Sequence, residues 1–259
     1  MKTPLINRRF FSAEYRMQLP TGWQQLTDKQ LIYYAFLSTA YPPDIVKALF
    51  LIRLLDIKVL KSVGSNSWLC LIKGRKVTIE SWELMAGLHQ LAWLDNQVAA
   101  RPSEYGGFHA VHRLLQEGFT FFDYLRCETF FQQFIITENF GNVVRMANFL
   151  YRDADGKNAT FRTLDETGRA IVILWWIGIK DFLAKTFPDL FTRPAEGDAP
   201  AEPQTPQSLM EANDAQIRAL TGGDITKEND VLAQPCWRAL SELNAKAREA
   251  KELKKLYSK

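Results

Sequence analysis

The chain has 259 residues, of which 47% are hydrophobic and 24% are charged, so it can bury a substantial core and is not disordered throughout. Its formal net charge is only +3, and residues 246–259 alone hold six basic and two acidic side chains. This distribution excludes a broad basic field for nucleic-acid phosphates over the rest of the chain and leaves one open only at the C-terminal end.

The cysteines indicate a reducing compartment, and the apolar runs predict neither a signal peptide nor a membrane span. Cys70, Cys127 and Cys236 are odd in number and far apart, which fits neither a disulfide framework nor a zinc site. No apolar segment follows the basic residues near the N-terminus, so we expect no signal peptide. The most apolar run, 170–179, is shorter than the roughly 20 residues that span a membrane. We therefore expect a cytoplasmic protein.

Two helices are predicted in the first part of the chain, after an irregular lead-in over residues 1–18. Thr27 and Gln30 have the spacing of a capping box, which predicts that a helix begins there. Pro42-Pro43 suits the first turn of a second helix. Since residues 45–55 are apolar on nearly every side, we expect that helix to be deeply buried.

A single β-hairpin is predicted near residues 67–79, where two β-prone runs flank a short turn. A lone hairpin needs support, and the helix predicted from Ser81 to about Leu94 can provide it. Residues 96–108 contain Pro102 and Gly106-Gly107 and are typical of a loop.

Three further helices are predicted before residue 190. Thr120 and Asp123 have the spacing of a capping box, which predicts a helix from there to about Thr137. Asn139 can cap a further helix that runs through Arg152. Residues 163–166 fit another capping box, whose helix continues to about Phe187. These patterns predict a mainly α fold, a multi-helix globular body with one small hairpin.

Composition changes after residue 192. We expect a body over 1–192, a Pro-rich flexible linker over 193–207 and an amphipathic helical tail over 208–259. Within the tail, Gly222-Gly223 should end one helix and Pro235 should kink or restart the next.

One narrow apolar stripe follows the last helix at steps of three and four residues, and it is the candidate partner-binding site. Its residues are Trp237, Leu240, Leu243, Ala247, Ala250, Leu253 and Tyr257. Three interpretations remain open. The stripe could fold back on the body, it could bind a protein partner or a second copy, or the basic surface opposite could contact nucleic acid.

No metal-binding, cofactor-binding or catalytic residues are predicted. His109 and His112 would share a face of a helix, but His89 is the only other histidine and no third ligand has a diagnostic spacing. Residues 153–158 resemble part of a calcium loop, yet its first and last positions lack carboxylates. Cys127 has no partner that would activate it, and no phosphate-binding loop or nucleophile elbow is present.

Trp175-Trp176 lies in a strongly apolar run. This placement favours packing in a core, while the alternative is a partner-binding groove, because Trp is enriched at interface hot spots.

Four segments, 19–31, 147–152, 173–191 and 218–232, together resemble a family encoded in bacteriophage and prophage tail-gene clusters. Its members look like tail assembly chaperones, which bind the elongated tape-measure protein and keep it soluble while the tail tube polymerises. The segments cover 53 of 259 residues and include no catalytic signature.

The resemblance implies a non-enzymatic tail morphogenesis protein with a protein partner and no small-molecule substrate. The chain is longer than a typical short-form chaperone, which leaves open a virion structural connector. A nucleic-acid-associated protein that uses the basic C-terminal helix, and an enzyme whose site is assembled from distant residues, also remain open.

Overall fold

The computed structural model describes residues 19–96, 98–191 and 205–257. In these ranges it is mainly helical, with nine α-helices and two three-stranded antiparallel sheets, which confirms the predicted fold class. No helix in the described ranges is both long and apolar enough to cross a membrane. The chain divides into two compact units, Met1–Gln97 and Val98–Lys259.

In its described part, 19–96, the N-terminal unit contains three α-helices and one sheet. They are α1 (Asp28–Ala40), α2 (Pro43–Leu54), β1 (Ile57–Gly64), β2 (Ser67–Ile72), β3 (Arg75–Glu80) and α3 (Ser81–Gln90). The capping box at Thr27 is confirmed, and Pro43 is the first residue of α2 as predicted. The hairpin predicted near 67–79 is confirmed as β2 and β3, and β1 adds a third strand that the sequence did not indicate.

One face of this sheet forms a core with α2 and α3. Cys70, Ile72 and Ile79 are buried on that face, as are Phe50 and Leu51 on α2. The expectation that residues 45–55 are buried on nearly every side is wrong. Helix α2 packs against α1, α3 and β1, but Ile45 and Arg53 on the rest of its surface remain exposed.

Over 98–191 and 205–257, the C-terminal unit contains six α-helices and one small sheet. They are β4 (Glu104–Tyr105), β5 (Phe108–Ala110), α4 (Phe121–Thr137), α5 (Phe140–Leu150), β6 (Tyr151–Arg152), α6 (Glu166–Thr186), α7 (Pro206–Thr221), α8 (Glu228–Leu232) and α9 (Cys236–Tyr257). The caps predicted at Thr120 and Asn139 are confirmed. Asp165 caps α6 in place of Thr163, and part of the predicted loop 96–108 forms β4 and β5.

Helix α6 lies in the core of the C-terminal unit. Trp175 and Trp176 are both fully buried, which confirms their interpretation as core residues. The indole nitrogen of Trp175 donates to the carbonyl of Arg113 at 2.9 Å, and that of Trp176 donates to Glu128 at 3.2 Å. A buried Trp normally satisfies its N–H group in this way, so both side chains are specified by packing and by a hydrogen bond.

The compact units do not follow the division that the composition indicates at 193–207. Residues 1–18 and 193–204, predicted as lead-in and linker, lie outside the described residues. Helix α7 begins at Pro206, within the last part of the predicted linker. Helices α7–α9 belong to the same unit as α4–α6, because the start of α9 contributes Cys236, Ala239 and Leu240 to the shared core.

Candidate partner-binding surface at the C-terminal helices

The start of α9 is fixed to the segment that precedes α4. The amide of Phe121 donates to the carbonyl of Gln234 at 2.8 Å, and the amide of Cys236 donates to the carbonyl of Phe119 at 2.9 Å. Pro235 lies between these two bonds, where it ends the preceding turn and supplies no amide of its own. The predicted restart at Pro235 is confirmed, and the backbone pairing sets where α9 begins.

The first turns of α9 are buried in their own unit. Leu240 is 0% exposed and Leu243 is 4% exposed. Trp237 is half-buried, and its ring lies 5.0 Å from that of Phe187 and 5.9 Å from that of Phe182. These three residues of the predicted stripe therefore contact the chain itself, as the fold-back interpretation describes.

Two polar side chains hold the middle of α9 against the segment after α6. Asn244 Oδ1 accepts from the amides of Asp189 at 2.9 Å and Leu190 at 3.0 Å. Lys251 Nζ donates to the carbonyl oxygen of Asp189 at 3.0 Å and to its Oδ1 at 3.1 Å. Ala247 is half-buried between these contacts. The helix is thus anchored as far as Lys251.

Beyond the contacts of Asn244 and Lys251, the residues of the stripe are exposed to solvent. Leu253 is 53% exposed, Leu256 is 71% exposed and Tyr257 is 88% exposed, and Ala250 is also exposed. We call these four residues the apolar end of α9. Leu256 is not in the predicted stripe, although its position three residues after Leu253 places it on the neighbouring part of the helix surface.

An open groove of about 680 Å³ lies beside α9. Its lining residues come from all three C-terminal helices and the turns that join them, and they are Leu220, Lys227, Asp230, Val231, Gln234, Arg238, Ala239, Ser241 and Glu242. Apolar residues alternate with side chains of both charge signs, which suits a peptide surface better than a small charged ligand. Sequence patterns could not locate this groove because its walls are formed by separate helices.

The charge of the tail is partly neutralised within the unit. Lys246 forms an ion pair with Glu242 at 3.5 Å, and Lys251 forms one with Asp189 at 3.1 Å. Two of the six basic residues in the stretch 246–259 are therefore engaged by carboxylates of the same unit.

The histidines weighed as metal ligands do not form the helical pair considered from the sequence. His109 lies in β5, and His112 lies in the turn after it, where Nδ1 accepts from the amides of Leu114 and Gln116 at 3.3 Å. In the part of the chain that the structure describes, no three His, Cys, Asp or Glu residues lie together as a possible metal site.

Two buried cysteines, one in α4 and one at the start of α9, have protonated thiols. Cys127 and Cys236 are both buried, and burial, followed by the nearby Asp123 carboxylate, raises the pKa of each. A thiol with a raised pKa is a poor nucleophile. Asp123 itself accepts from the Thr120 amide at 3.1 Å and from Arg152 at 3.2 Å, so it caps α4 and pairs with a cation.

Comparison of the chain with protein-family models, with curated proteins and with solved structures found no significant match. The arrangement of α7–α9 is therefore interpreted from its own geometry. That geometry comprises a fixed helix whose apolar end is exposed and an open groove beside the first turns of the same helix.

Proposed function

We propose that this chain is a non-enzymatic phage or prophage tail morphogenesis protein that binds an elongated helical partner, such as the tape-measure protein, in the cytoplasm of the bacterial host. The observation that carries the proposal is the apolar end of α9. Leu253, Leu256 and Tyr257 are exposed on a helix whose first turns are fixed in the core.

An exposed apolar group on a fixed helix is well suited to binding. Burying a leucine side chain contributes about 1.5–3 kcal/mol, so three large apolar residues offer substantial affinity to a partner that covers them. Anchoring by Asn244 and Lys251 lowers the conformational entropy lost on binding, because the backbone is already ordered. Tyr257 adds a large contact surface with few rotatable bonds.

The spacing of the apolar end favours a helical partner. Ala250, Leu253 and Tyr257 continue the steps of three and four residues that place Leu240 and Leu243 in the core. Residues at these steps pack against a second helix whose apolar residues have the same spacing. Lys254 lies beside them and is exposed, so acidic residues flanking the apolar stripe of the partner would add favourable charge interactions.

The family resemblance supports the tape-measure protein as the partner, because that protein is extended, helical and rich in apolar surface that needs cover before the tail is complete. A nucleic-acid role is less well supported, since Lys246 and Lys251 already contact carboxylates of their own unit. Phosphate binding would require those contacts to break or would depend on the remaining cations alone.

Co-expression tests the proposal. The tagged chain is produced with the tape-measure protein encoded beside it, and we expect the two to co-purify. The double variant Leu253→Ser/Tyr257→Ser should lose the partner, because it removes the apolar contact and leaves the core intact. The matched variant Glu252→Ser/Lys254→Ser changes two exposed polar residues of the same turns and should retain it.

Three results would count against the proposal. One is the absence of co-purification while both proteins are soluble, and another is equal retention by the two double variants. The third is a gene neighbourhood that contains no long coiled-coil tape-measure protein. Recovery of nucleic acid with the chain, lost on raising the salt concentration, would assign the tail to nucleic-acid binding instead.

A further inference from the structure

The outer face of the N-terminal sheet combines lysines and leucines in a defined order. Strand pairing places Lys58, Leu71 and Lys76 side by side across β1, β2 and β3. The next row along the strands is Lys61, Leu69 and Thr78. Because paired residues point to the same side of a sheet, these six residues share one face, opposite the buried Cys70 and Ile72. We call them the outer sheet face.

The lysines of this face are available for a partner. Lys58, Lys61 and Lys76 are exposed, while Leu69 and Leu71 are half-buried. Among the described residues, none of the three lysines forms an ion pair. Glu80 lies two residues after Thr78 on β3, and its carboxylate accepts from the indole nitrogen of Trp82 at 2.6 Å.

The dimensions of the face match one helix. Neighbouring strands lie about 4.8 Å apart, so Lys58 and Lys76 are separated by about 10 Å with Leu71 between them. An α-helix with its side chains has a diameter of about 10 Å. Leu69 and Leu71 are two residues apart on β2, so they form a short apolar line along the strand, with cations on both sides.

We propose that the outer sheet face binds an acidic amphipathic helix of a protein partner. The apolar stripe of that helix lies along Leu69 and Leu71. Its glutamate or aspartate side chains on either border pair with Lys58 and Lys61 on one side and with Lys76 on the other. This surface belongs to a different unit from the apolar end of α9, and the inference does not depend on what the apolar end binds.

The chemistry of the face favours a helix over a nucleic acid or an added strand. Surfaces that bind single-stranded nucleic acid combine cations with exposed aromatic rings, whereas leucines form the centre of this face. Covering those leucines with charged phosphates would cost free energy, because the phosphates would lose water without gaining hydrogen bonds. Strand addition requires a regular edge. At the β1 edge the pairing is interrupted by irregularities at Leu60 and Val63, and such bulges block edge-to-edge pairing there. The β3 edge is regular, but a strand added beside β3 would leave Leu69 and Leu71 on the central strand uncovered.

A designed peptide can probe the face in the full chain. The probe is a fluorescent helix of about 21 residues with leucine at heptad positions a and d and glutamate at e and g. A matched peptide has lysine at e and g. We expect the glutamate peptide to bind at least about tenfold more tightly than the lysine peptide, with an affinity that falls as salt is added.

Charge-reversal variants locate the binding site. Lys58→Glu/Lys76→Glu should weaken binding of the glutamate peptide by about tenfold or more, since two attractive pairs become repulsive. The control Lys29→Glu/Lys157→Glu makes the same charge change at two exposed lysines outside the sheet and should alter affinity less than about twofold. Leu71→Ser should weaken binding without any charge change. Because the apolar end of α9 suits the same kind of peptide, the charge-reversal variants are also compared in the Leu253→Ser/Tyr257→Ser background, where Lys58→Glu/Lys76→Glu should still weaken binding by about tenfold or more.

Other results overturn the inference. Equal affinity for the two peptides would mean that the lysines of the face contribute nothing to recognition. Equal weakening by the two charge-reversal variants would mean that only net charge is recognised. A single-stranded oligonucleotide that binds more tightly than the glutamate peptide, and is lost in Lys58→Glu/Lys76→Glu, would assign the face to nucleic acid. Circular dichroism of each variant must match that of the unmodified chain, and if Lys58→Glu/Lys76→Glu unfolds, Leu71→Ser alone decides the result.

Discussion

The two units of this chain differ in how they use apolar surface and charge. Val98–Lys259 has 20 basic and 22 acidic residues and buries its tryptophans Trp175 and Trp176 completely. Met1–Gln97 has 12 basic and seven acidic residues, and it leaves many large apolar side chains exposed. Those exposed in its described part are Phe36, Tyr41, Ile45, Val59, Leu60, Val63, Trp82 and Met85.

This difference shows what the C-terminal helix adds. In the larger unit, α9 contributes apolar residues to the core, and the large apolar residues that it leaves exposed are those of its last turns, Leu253, Leu256 and Tyr257. The smaller unit has no corresponding helix among its described residues. The core that α9 completes still leaves other large apolar side chains of the larger unit exposed, among them Ile135, Met210 and Ile225, so the two units differ in charge more than in exposed apolar surface.

The largest expected effect tests whether α9 belongs to the core of the larger unit. Leu240→Ala should lower the free energy of unfolding by about 3 kcal/mol, because a fully buried leucine is replaced by a cavity. The matched change at the exposed position, Leu253→Ala, should stay within about 0.5 kcal/mol of the unmodified chain. Urea denaturation measures both. Equal effects would mean that the docked and exposed parts of α9 do not differ.

A second variant tests the close packing of α6 in the same unit. Gly178→Ala should lower the free energy of unfolding by about 2 kcal/mol, because the added Cβ would overlap the backbone of Val98 and Ala99. Gly141→Ala is the control, since its Cβ would meet only the Asn139 side-chain oxygen at 3.0 Å. Thermal denaturation of the two variants provides the comparison. A larger loss of stability for Gly141→Ala than for Gly178→Ala would contradict the close approach of α6 to the backbone of Val98 and Ala99.

A third variant tests the anchor in the middle of α9. Asn244→Ala removes the acceptor for the amides of Asp189 and Leu190, so we expect a loss of about 1–2 kcal/mol. Glu249→Ala, at an exposed position of the same helix, should change stability by less than about 0.5 kcal/mol. Urea denaturation again provides the measurement. If Asn244→Ala behaves like Glu249→Ala, the anchor contributes nothing to docking.

The last prediction concerns pH and the buried thiols of the larger unit. Burial raises the pKa of Cys127 and Cys236 in the folded chain, whereas the unfolded chain ionises at ordinary thiol pKa values. Their contribution to stability is therefore complete below the unfolded pKa and is lost as the pH rises above it. Each thiol should contribute a slope of at most about 1.4 kcal/mol per pH unit in that range.

Cys127→Ala/Cys236→Ala checks this slope. We expect a lower stability at neutral pH, from lost packing, but a flatter decline of the free energy of unfolding between about pH 8 and about pH 10. An unchanged slope would show that the two thiols are not the groups responsible.

Local signals were predictable from the sequence, and contacts between distant residues were not. The caps at Thr27 and Thr120, Pro43 at the start of α2 and the restart at Pro235 depend on a few neighbouring residues. The docking of α9 depends on residues far along the chain, such as Asp189, which binds Lys251. Strand β1 was missed because its side chains are mostly exposed, so it lacks the alternation that marks a half-buried strand.

The predicted stripe illustrates the same limit at the candidate site. Its residues have one periodicity from Trp237 to Tyr257, and a helical pattern alone cannot say which of them another part of the chain covers. The structure separates Leu240 and Leu243 in the core from Leu253 and Tyr257 in solvent. The part of the stripe that remains for the proposed partner is thereby reduced to the apolar end, to which Leu256 is added.

Amide hydrogen exchange along α9, measured in the free chain and in the complex with the tape-measure protein, tests the central claim most directly. In the free chain we expect slow exchange over residues 239–243 and fast exchange over 253–257. In the complex, exchange over 253–257 should slow markedly while that over 239–243 stays the same. Fast exchange along the whole of α9 in the free chain, or unchanged exchange over 253–257 in the complex, would contradict the account.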